Sequence, residues 1–205
     1  SKPQPNARKV KSILNWAQEA NKDTGFVTTA RVSHATPSAL YAHIAERWWE
    51  CDIMTPEGIE DITKQLVMND PGRGIKVILG GGLVSFVSRQ EYMALMNTTK
   101  GTTERKGFDY EREDLWNCSR EDDLNLVDQF LKRSDSTFKN ETIGPKFITN
   151  RNQLLKLDVN QTSYLLGLFG HSHLGHEYGA KSSSGRKEGL PPLEPVEPSI
   201  SEMTE

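Results

Sequence analysis

Two short apolar stretches, GFVTTA at residues 25–30 and IKVIL at residues 75–79, decide the fold class. Each is rich in β-branched residues and lies beside glycine, so each is predicted to be a buried strand. Residues 58–67 lie between them and carry apolar residues three or four positions apart, which is typical of an amphipathic helix. A strand, a helix and a second strand in this order indicate an α/β fold.

The remaining segments continue this alternation. Apolar spacing predicts helices at residues 7–20, 38–45, 124–131 and 152–157, and strands at residues 146–149 and 164–169. Residues 88–121 are polar and charged and are expected to form a surface excursion. Residues 170–198 are rich in Ser, Gly and Pro and are expected to form a loop that leads into a helix start at residues 199–205. The α/β core is therefore assigned to residues 1–169.

Composition excludes several classes of protein. The 205 residues contain 25 Lys and Arg against 28 Asp and Glu, so a basic protein that tracks nucleic-acid phosphates is excluded. No run approaches the roughly 18 consecutive apolar residues that a membrane-spanning helix needs. Cys51 and Cys118 are the only cysteines, which excludes a disulfide-dense scaffold and a Cys-rich zinc site but allows one bridge.

Four N-glycosylation sequons indicate an extracellular or cell-surface protein. Eleven asparagines are present, and four of them begin an Asn-x-Ser/Thr triplet, which is more than chance would supply. Coincidence in polar loops is the alternative explanation. The candidate acceptors are Asn97, Asn117, Asn140 and Asn160.

The clearest candidate site lies where the first predicted strand runs through a short turn into a helix. In an open α/β sheet, ligands bind at the carboxyl ends of the strands. Thr36 could supply a neutral oxygen ligand to a hard cation such as Mg²⁺, and His34 could orient a metal-bound water. The alternative is structural, with Thr36 as a helix N-cap and His34 as a polar turn residue.

Arg47 could add a bidentate fork for phosphate, since a guanidinium matches the geometry of phosphate oxygens. A straight helix would place Arg47 about 16 Å from Thr36 along the helix axis. Both residues can serve one site only if the helix ends early, near Ala45, and the chain folds back. Otherwise Arg47 is a solvated charge.

Two further motifs have simpler interpretations. The glycines at residues 80–82 fit neither the dinucleotide fingerprint nor the P-loop, so close backbone packing at a strand end is expected. His171, His173 and His176 offer enough imidazoles for a metal site. They fall in the predicted loop without a neighbouring carboxylate, which argues against a ligand role.

Taken together, eight segments in order resemble the alkaline phosphatases, and the animal, membrane-anchored type more than the bacterial type. The resemblance implies a three-layer sandwich around a central, mostly parallel sheet. The segments are SIL (12–14) to GFVTTAR (25–31), HATP (34–37) to YAH (41–43), RWW (47–49), DI (61–62) to QL (65–66), VILGGG (77–82), NLVD (125–128), LLGLF (165–169) and PSISEM (198–203).

The resemblance implies a metal-dependent hydrolase of phosphate monoesters that uses Zn²⁺ and Mg²⁺. Thr36 matches the family's hydroxyl ligand to Mg²⁺. His34 matches the neighbouring position, which is His in animal members and Asp in the bacterial enzyme, and Arg47 matches the phosphate clamp. The resemblance also implies a homodimer held at the cell surface by a lipid anchor outside this chain.

The nucleophilic Ser and the zinc ligands of the family are expected outside this chain, which has neither an initiator Met nor an apolar leader. The chain is therefore interpreted as a central fragment that is inactive alone. Gly170 stands where animal members have a Ca²⁺-binding Glu, although Glu197 could match a later acidic ligand. Ile59 replaces a family cysteine, so Cys51 either pairs with Cys118 or stays free.

Two other functions compete with this interpretation. A non-catalytic surface glycoprotein could retain the fold as a binding module. A phosphodiesterase or sulfatase relative is disfavoured, because the spacing from His34 to Arg47 resembles the monoesterase type.

Overall fold

A computed structural model describes residues 9–98, 117–133, 143–175 and 197–205. A four-stranded sheet lies at its centre, and all three strand pairings are parallel. The strands have the spatial order β1-β2-β4-β3. They are β1 (Gly25–Arg31), β2 (Val77–Gly81), β3 (Gly144–Ile148) and β4 (Thr162–Leu168). The predicted α/β fold is confirmed, as are the positions of the four predicted strands.

Short helices connect and flank the strands. Several begin at a polar N-cap; Asp61, for example, accepts a hydrogen bond of 2.7 Å from the backbone N–H of Lys64. The helices are α1 (Ile13–Glu19), α2 (Ala35–Ser38), α3 (Ile62–Met68), α4 (Arg89–Thr98), α5 (Leu126–Leu131), α6 (Arg151–Leu155) and α7 (Ile200–Thr204). Helix α4 lies within residues 88–121, the predicted surface excursion. Residues 99–116 of that segment lie outside the described residues.

The prediction of a helix at residues 38–45 is wrong. His34 is the N-cap, and α2 ends at Ser38 after four residues. The backbone N–H of Tyr41 then bonds the carbonyl of Ser38, three residues back, which tightens the turn. Tyr41 is 2% exposed, and its hydroxyl donates to the Val32 carbonyl at 2.6 Å. Burial of this ring therefore turns the chain back toward β1.

Two other helices are shorter than predicted for local reasons. Gly58 has a φ of +81°, which is outside the helical region, and α3 begins only after the Asp61 cap. Ser12 caps α1 by accepting from the Leu14 N–H, so that helix begins at Ile13 rather than at residue 7.

Both faces of the sheet are covered, which makes the molecule three-layered. In β2, Ile78 packs on one face and Leu79 on the other, and Leu166 and Leu165 alternate in the same way in β4. The first face packs against α3 and α5, with Ile62, Leu66, Leu126 and Phe130 fully or almost fully buried. The second packs against Phe169, Leu174 and Met203, and Met203 belongs to α7.

A disulfide and a buried ion pair attach residues 117–123 to this core. Cys51 and Cys118 are bonded, with their Cα atoms 5.6 Å apart, so both cysteines are paired. Next to the bridge, Arg120 is 3% exposed and donates to Asp61 at 3.0 Å. The same carboxylate that caps α3 therefore also holds Arg120.

Among the four sequons, Asn117 and Asn160 are exposed. Asn97 belongs to α4, and Asn140 lies outside the described residues. Within the described parts of the chain, every helix is too short or too polar to cross a bilayer.

Candidate functional site

The candidate site forms where the loops after β1, β2 and β4 meet. These strands are parallel neighbours, so their carboxyl ends share one edge of the sheet. The loop after β4 bonds both β1 and the residues after β2: the Leu174 N–H donates to the Thr29 carbonyl at 2.8 Å, and the Gly82 N–H donates to the Gly170 carbonyl at 2.9 Å. The turn after β1 and the loop after β4 are thereby held side by side.

The glycines after β2 make this approach possible, as the sequence predicted. A Cβ atom added to Gly81 would lie 2.0 Å from the backbone oxygen of Ser172. Gly82 has a φ of +95°, a conformation that side chains disfavour. The glycine run therefore serves backbone packing.

His34 and Arg47 are in direct contact. The Nη2 atom of Arg47 lies 3.1 Å from the Nε2 atom of His34. The sequence required an early helix end for Arg47 to reach this turn, and α2 ends even earlier, at Ser38. Arg47 is exposed and stacks over the Trp48 ring at 5.3 Å, and among the described residues no carboxylate forms an ion pair with it. Its remaining N–H groups are therefore available to an anion.

Thr36 lies in the first turn of α2, and the alternative interpretation of it as the N-cap is wrong. The cap position belongs to His34, whose side chain makes no capping hydrogen bond. Thr36 is exposed, and its hydroxyl makes no hydrogen bond to any residue the structure describes. This oxygen is therefore open to a ligand.

The environment of His34 favours a neutral imidazole. Burial lowers the pKa of His34, and the charges of Arg31 and Arg47 lower it further against the opposing effect of Glu50. Because a guanidinium has only donors, Nε2 must accept from Arg47, which leaves the ring proton on Nδ1. That atom is buried without a hydrogen-bond partner.

Behind the turn lies a carboxylate that sequence reasoning missed. Glu50 accepts from the Nε and Nη2 atoms of Arg31 at 2.8 and 2.7 Å and from the Ser33 hydroxyl at 2.6 Å. It is 5% exposed. Burial alone would raise the pKa of Glu50, but the hydrogen bonds from Arg31 and Ser33 outweigh it, and the pKa is lowered. Glu50 is therefore ionised at neutral pH.

His173 is a second residue at this turn, and the sequence analysis considered it only as a metal ligand and argued against that role. Its Nδ1 atom accepts from the Arg31 backbone N–H at 3.2 Å, and its ring meets the His34 ring edge-on at 5.1 Å. The sequence assigned residues 170–198 to a loop without packing of its own, yet His171 is 4% exposed and contacts Tyr92. The sequence did contain one signal for these two histidines, which is their position directly after a predicted strand. That strand is β4, which adjoins β2 in the sheet.

Thr36 and His34 offer one hydroxyl oxygen and one imidazole, which fit part of a magnesium site. An open hydroxyl on Thr36 and an orphaned Nδ1 on His34 are oxygen and imidazole groups that suit a hard cation and its water. The parts of the chain that the structure describes contain no group of three or more His, Cys, Asp or Glu side chains placed to hold a metal. Glu197, the candidate for the later acidic ligand, accepts from the Gly175 N–H at 2.7 Å.

Comparison with known proteins gives a consistent result. Residues 4–205 match the family model described as alkaline phosphatase. The chain is 37% identical over its whole length to alkaline phosphatase 4 of Drosophila melanogaster, covering 30% of that protein. It is 41% identical over 82% of its length to the human tissue-nonspecific isozyme, covering 29% of it. It is 31% identical over 97% of its length to the membrane-bound alkaline phosphatase of Bombyx mori, covering 31% of it.

A solved structure is also similar, that of the cold-active alkaline phosphatase from a psychrophilic Shewanella. The TM-score is 0.47 at 23% identity, over 88% of this chain and 29% of that one. This chain spans about 30% of the length of the curated relatives it matches. On the match to the family model over residues 4–205, the chain belongs to the alkaline phosphatase family.

Proposed function

We propose that this chain is part of a phosphate-monoester hydrolase in which Arg47 clamps the phosphoryl group. The observation that carries the proposal is the pairing of Arg47 with His34 at 3.1 Å, two residues before Thr36 and its open hydroxyl. These residues also match the family's clamp and magnesium positions. Membership of a hydrolase family supports the same reaction class.

In this role, Arg47 donates its free N–H groups to two non-bridging phosphate oxygens. A planar guanidinium makes such contacts bidentately, and it stabilises negative charge as it shifts on the phosphoryl oxygens in the transition state. His34 fixes one edge of the fork through Nε2, so the other edge is presented to the substrate. Trp48 supports the guanidinium plane from one side.

Thr36 would hold Mg²⁺ through its hydroxyl oxygen, and His34 would orient a water on that ion. When bound, the ion neutralises negative charge next to the phosphate. We assign Zn²⁺ and the nucleophilic Ser to parts of the protein outside this chain. The isolated 205 residues are accordingly expected to be inactive.

The proposal extends to the setting of the intact protein, which would be an extracellular, glycosylated homodimer held at the cell surface by a lipid anchor. Exposure of Asn117 and Asn160 supports glycosylation there, since an acceptor must be accessible. The name of the membrane-bound Bombyx mori relative supports the location.

The decisive experiment compares the intact protein with its Arg47→Ala variant on a chromogenic phosphate monoester at alkaline pH, with Zn²⁺ and Mg²⁺ supplied. We expect KM to rise and kcat to fall together, because the fork touches phosphate in both ground and transition states, with kcat/KM reduced about 100-fold. Arg73→Ala is the matched control, since Arg73 is an exposed arginine at the opposite edge of the sheet.

Unchanged kinetics in Arg47→Ala would reject the clamp role. An intact wild-type protein that hydrolyses no phosphate monoester, with or without the metals, would instead favour a non-catalytic binding module that retains the fold.

A further inference from the structure

We infer that Glu50 is a positioning residue that holds His34 and Arg47 together in the phosphate site. The inference rests on the proposed function, because it assigns Glu50 a role in organising that site. It starts from three hydrogen bonds that converge on one buried carboxylate, from Arg31 twice and from Ser33 once.

The first step concerns the turn that carries His34. Arg31 is the last residue of β1, and Ser33 immediately precedes His34. Glu50 thus binds two side chains of one four-residue turn, and all three bonds are 2.8 Å or shorter. Charge-assisted bonds of this kind are the strong ones in proteins, and together they fix where the turn places His34.

The second step concerns the segment that carries Arg47. Glu50 lies three residues after Arg47, so the same carboxylate limits how far Arg47 can move from His34. The backbone of Glu50 is itself fixed, because its carbonyl accepts from the buried Thr63 hydroxyl at 2.6 Å. The next residue, Cys51, is locked by the disulfide to Cys118.

The third step is that His34 and Arg47 have little else to hold them together. Arg47 is exposed, His34 is half-buried, and the contact between them is a single hydrogen bond. An isolated contact of that kind is worth little at a surface. Glu50 supplies the rigid support that such a pair needs in order to present a fixed fork to phosphate.

The test uses Glu50→Gln and Ser33→Ala in the intact protein. Ser33→Ala removes one hydrogen bond to Glu50 and changes no charge. It therefore separates a loss of positioning from a change in the electrostatic field of the site. Glu60→Gln is the control, since Glu60 is an exposed glutamate in the loop before α3 and its side chain accepts a hydrogen bond from Asn69. We expect inhibition by inorganic phosphate to weaken about tenfold in Glu50→Gln, less in Ser33→Ala, and not in Glu60→Gln.

To distinguish a positioning role of Glu50 from a merely structural one, Glu50→Gln is repeated in the Arg47→Ala background. If Glu50 acts through Arg47, it causes no further loss of phosphate affinity there. Equal weakening in both backgrounds would overturn the inference, as would wild-type phosphate affinity in a stably folded Glu50→Gln protein. If Glu50→Gln does not fold, Ser33→Ala decides, because its loss of one neutral donor leaves the ion pair intact.

A readout independent of hydrolysis is the ¹⁵N spectrum of the imidazoles, of which the chain has five. The His34 signal, assigned with His34→Gln, should shift in Glu50→Gln in the same direction as in Arg47→Ala. A shift in a protein that hydrolyses nothing would reject the proposed function and retain the positioning role. An unshifted signal would reject the positioning role even in an active enzyme.

Discussion

Thr36 has an open hydroxyl in the first turn of α2, and its replacement by Val removes that oxygen while keeping the shape of the side chain. We expect Thr36→Val to weaken the dependence of activity on Mg²⁺ and to leave the Zn²⁺ content unchanged, because hard cations need oxygen ligands. Metal analysis and Mg²⁺ titration of the intact protein measure both effects. Thr29→Val, at an exposed position of β1, should change neither. A parallel loss of both metals would contradict the assignment.

The residues of the candidate site differ in how far sequence could predict them. The spacing of Thr36, His34 and Arg47 left a structural alternative open for each of them, and their proposed roles rest on the family resemblance. Glu50 was missed and His173 was set aside because their importance depends on contacts with Arg31, which is 19 and 142 residues away in sequence. No local pattern distinguishes a buried, paired Glu from a solvated one.

At the scale of elements, the end of β2 depends on having no side chain at Gly81. A methyl group there would overlap the Ser172 carbonyl, so Gly81→Ala must displace the loop after β4. We expect the free energy of unfolding to fall by about 1–3 kcal/mol. Gly144→Ala, at the start of β3, is the control because its Cβ would meet nothing within 4 Å, and it should change stability by less than about 0.5 kcal/mol. Urea unfolding at pH 7 compares them, and equal effects would contradict the packing role.

The contact between α6 and α7 should depend on pH. Hydrogen bonds from Arg151, and then from Ser199, lower the pKa of Glu202 to about 2 from the ordinary 4.5. Because the folded value is below the unfolded one, this stabilisation is complete above about pH 4.5 and is lost as pH falls toward 2.

Glu202→Gln should therefore reduce the free energy of unfolding at pH 7 by on the order of 1 kcal/mol, and by much less at pH 2.5. Urea titrations at the two pH values measure the difference. Glu205→Gln, three residues further along, provides a control that has no ion pair with any residue the structure describes. A deficit that stays constant between the two pH values would show that the pair does not titrate as described.

Elements were predictable where local signals agree. The strands were placed correctly because β-branched runs beside glycine leave few alternatives. The helix after Thr36-Pro37 was predicted to run to residue 45, but it ends at Ser38, and the chain turns so that the buried Tyr41 hydroxyl donates to the Val32 carbonyl nine residues back. Helix length was therefore decided by packing, which the apolar spacing does not report.

At the scale of the whole molecule, the bridge between Cys51 and Cys118 joins residues that are 67 positions apart. Closing a loop of that length in the unfolded chain should stabilise the folded state by about 4 kcal/mol. We expect the urea midpoint to fall when a reductant is added. The Cys51→Ala/Cys118→Ala variant, which has no bridge to reduce, should not respond to the reductant. An unchanged wild-type midpoint would show that the bridge adds no stability.

The strand order has a consequence for how the protein is made. Because β4 lies between β2 and β3, the sheet cannot close until β4 leaves the ribosome, about 87 residues after β2. At synthesis rates of about 5–20 residues per second, the free edge of β2 waits roughly 4–17 s for its partner. During that interval the backbone N–H and C=O groups with which β2 pairs to β4 have no strand partner, so the nascent chain presents an open strand edge of the kind that promotes aggregation.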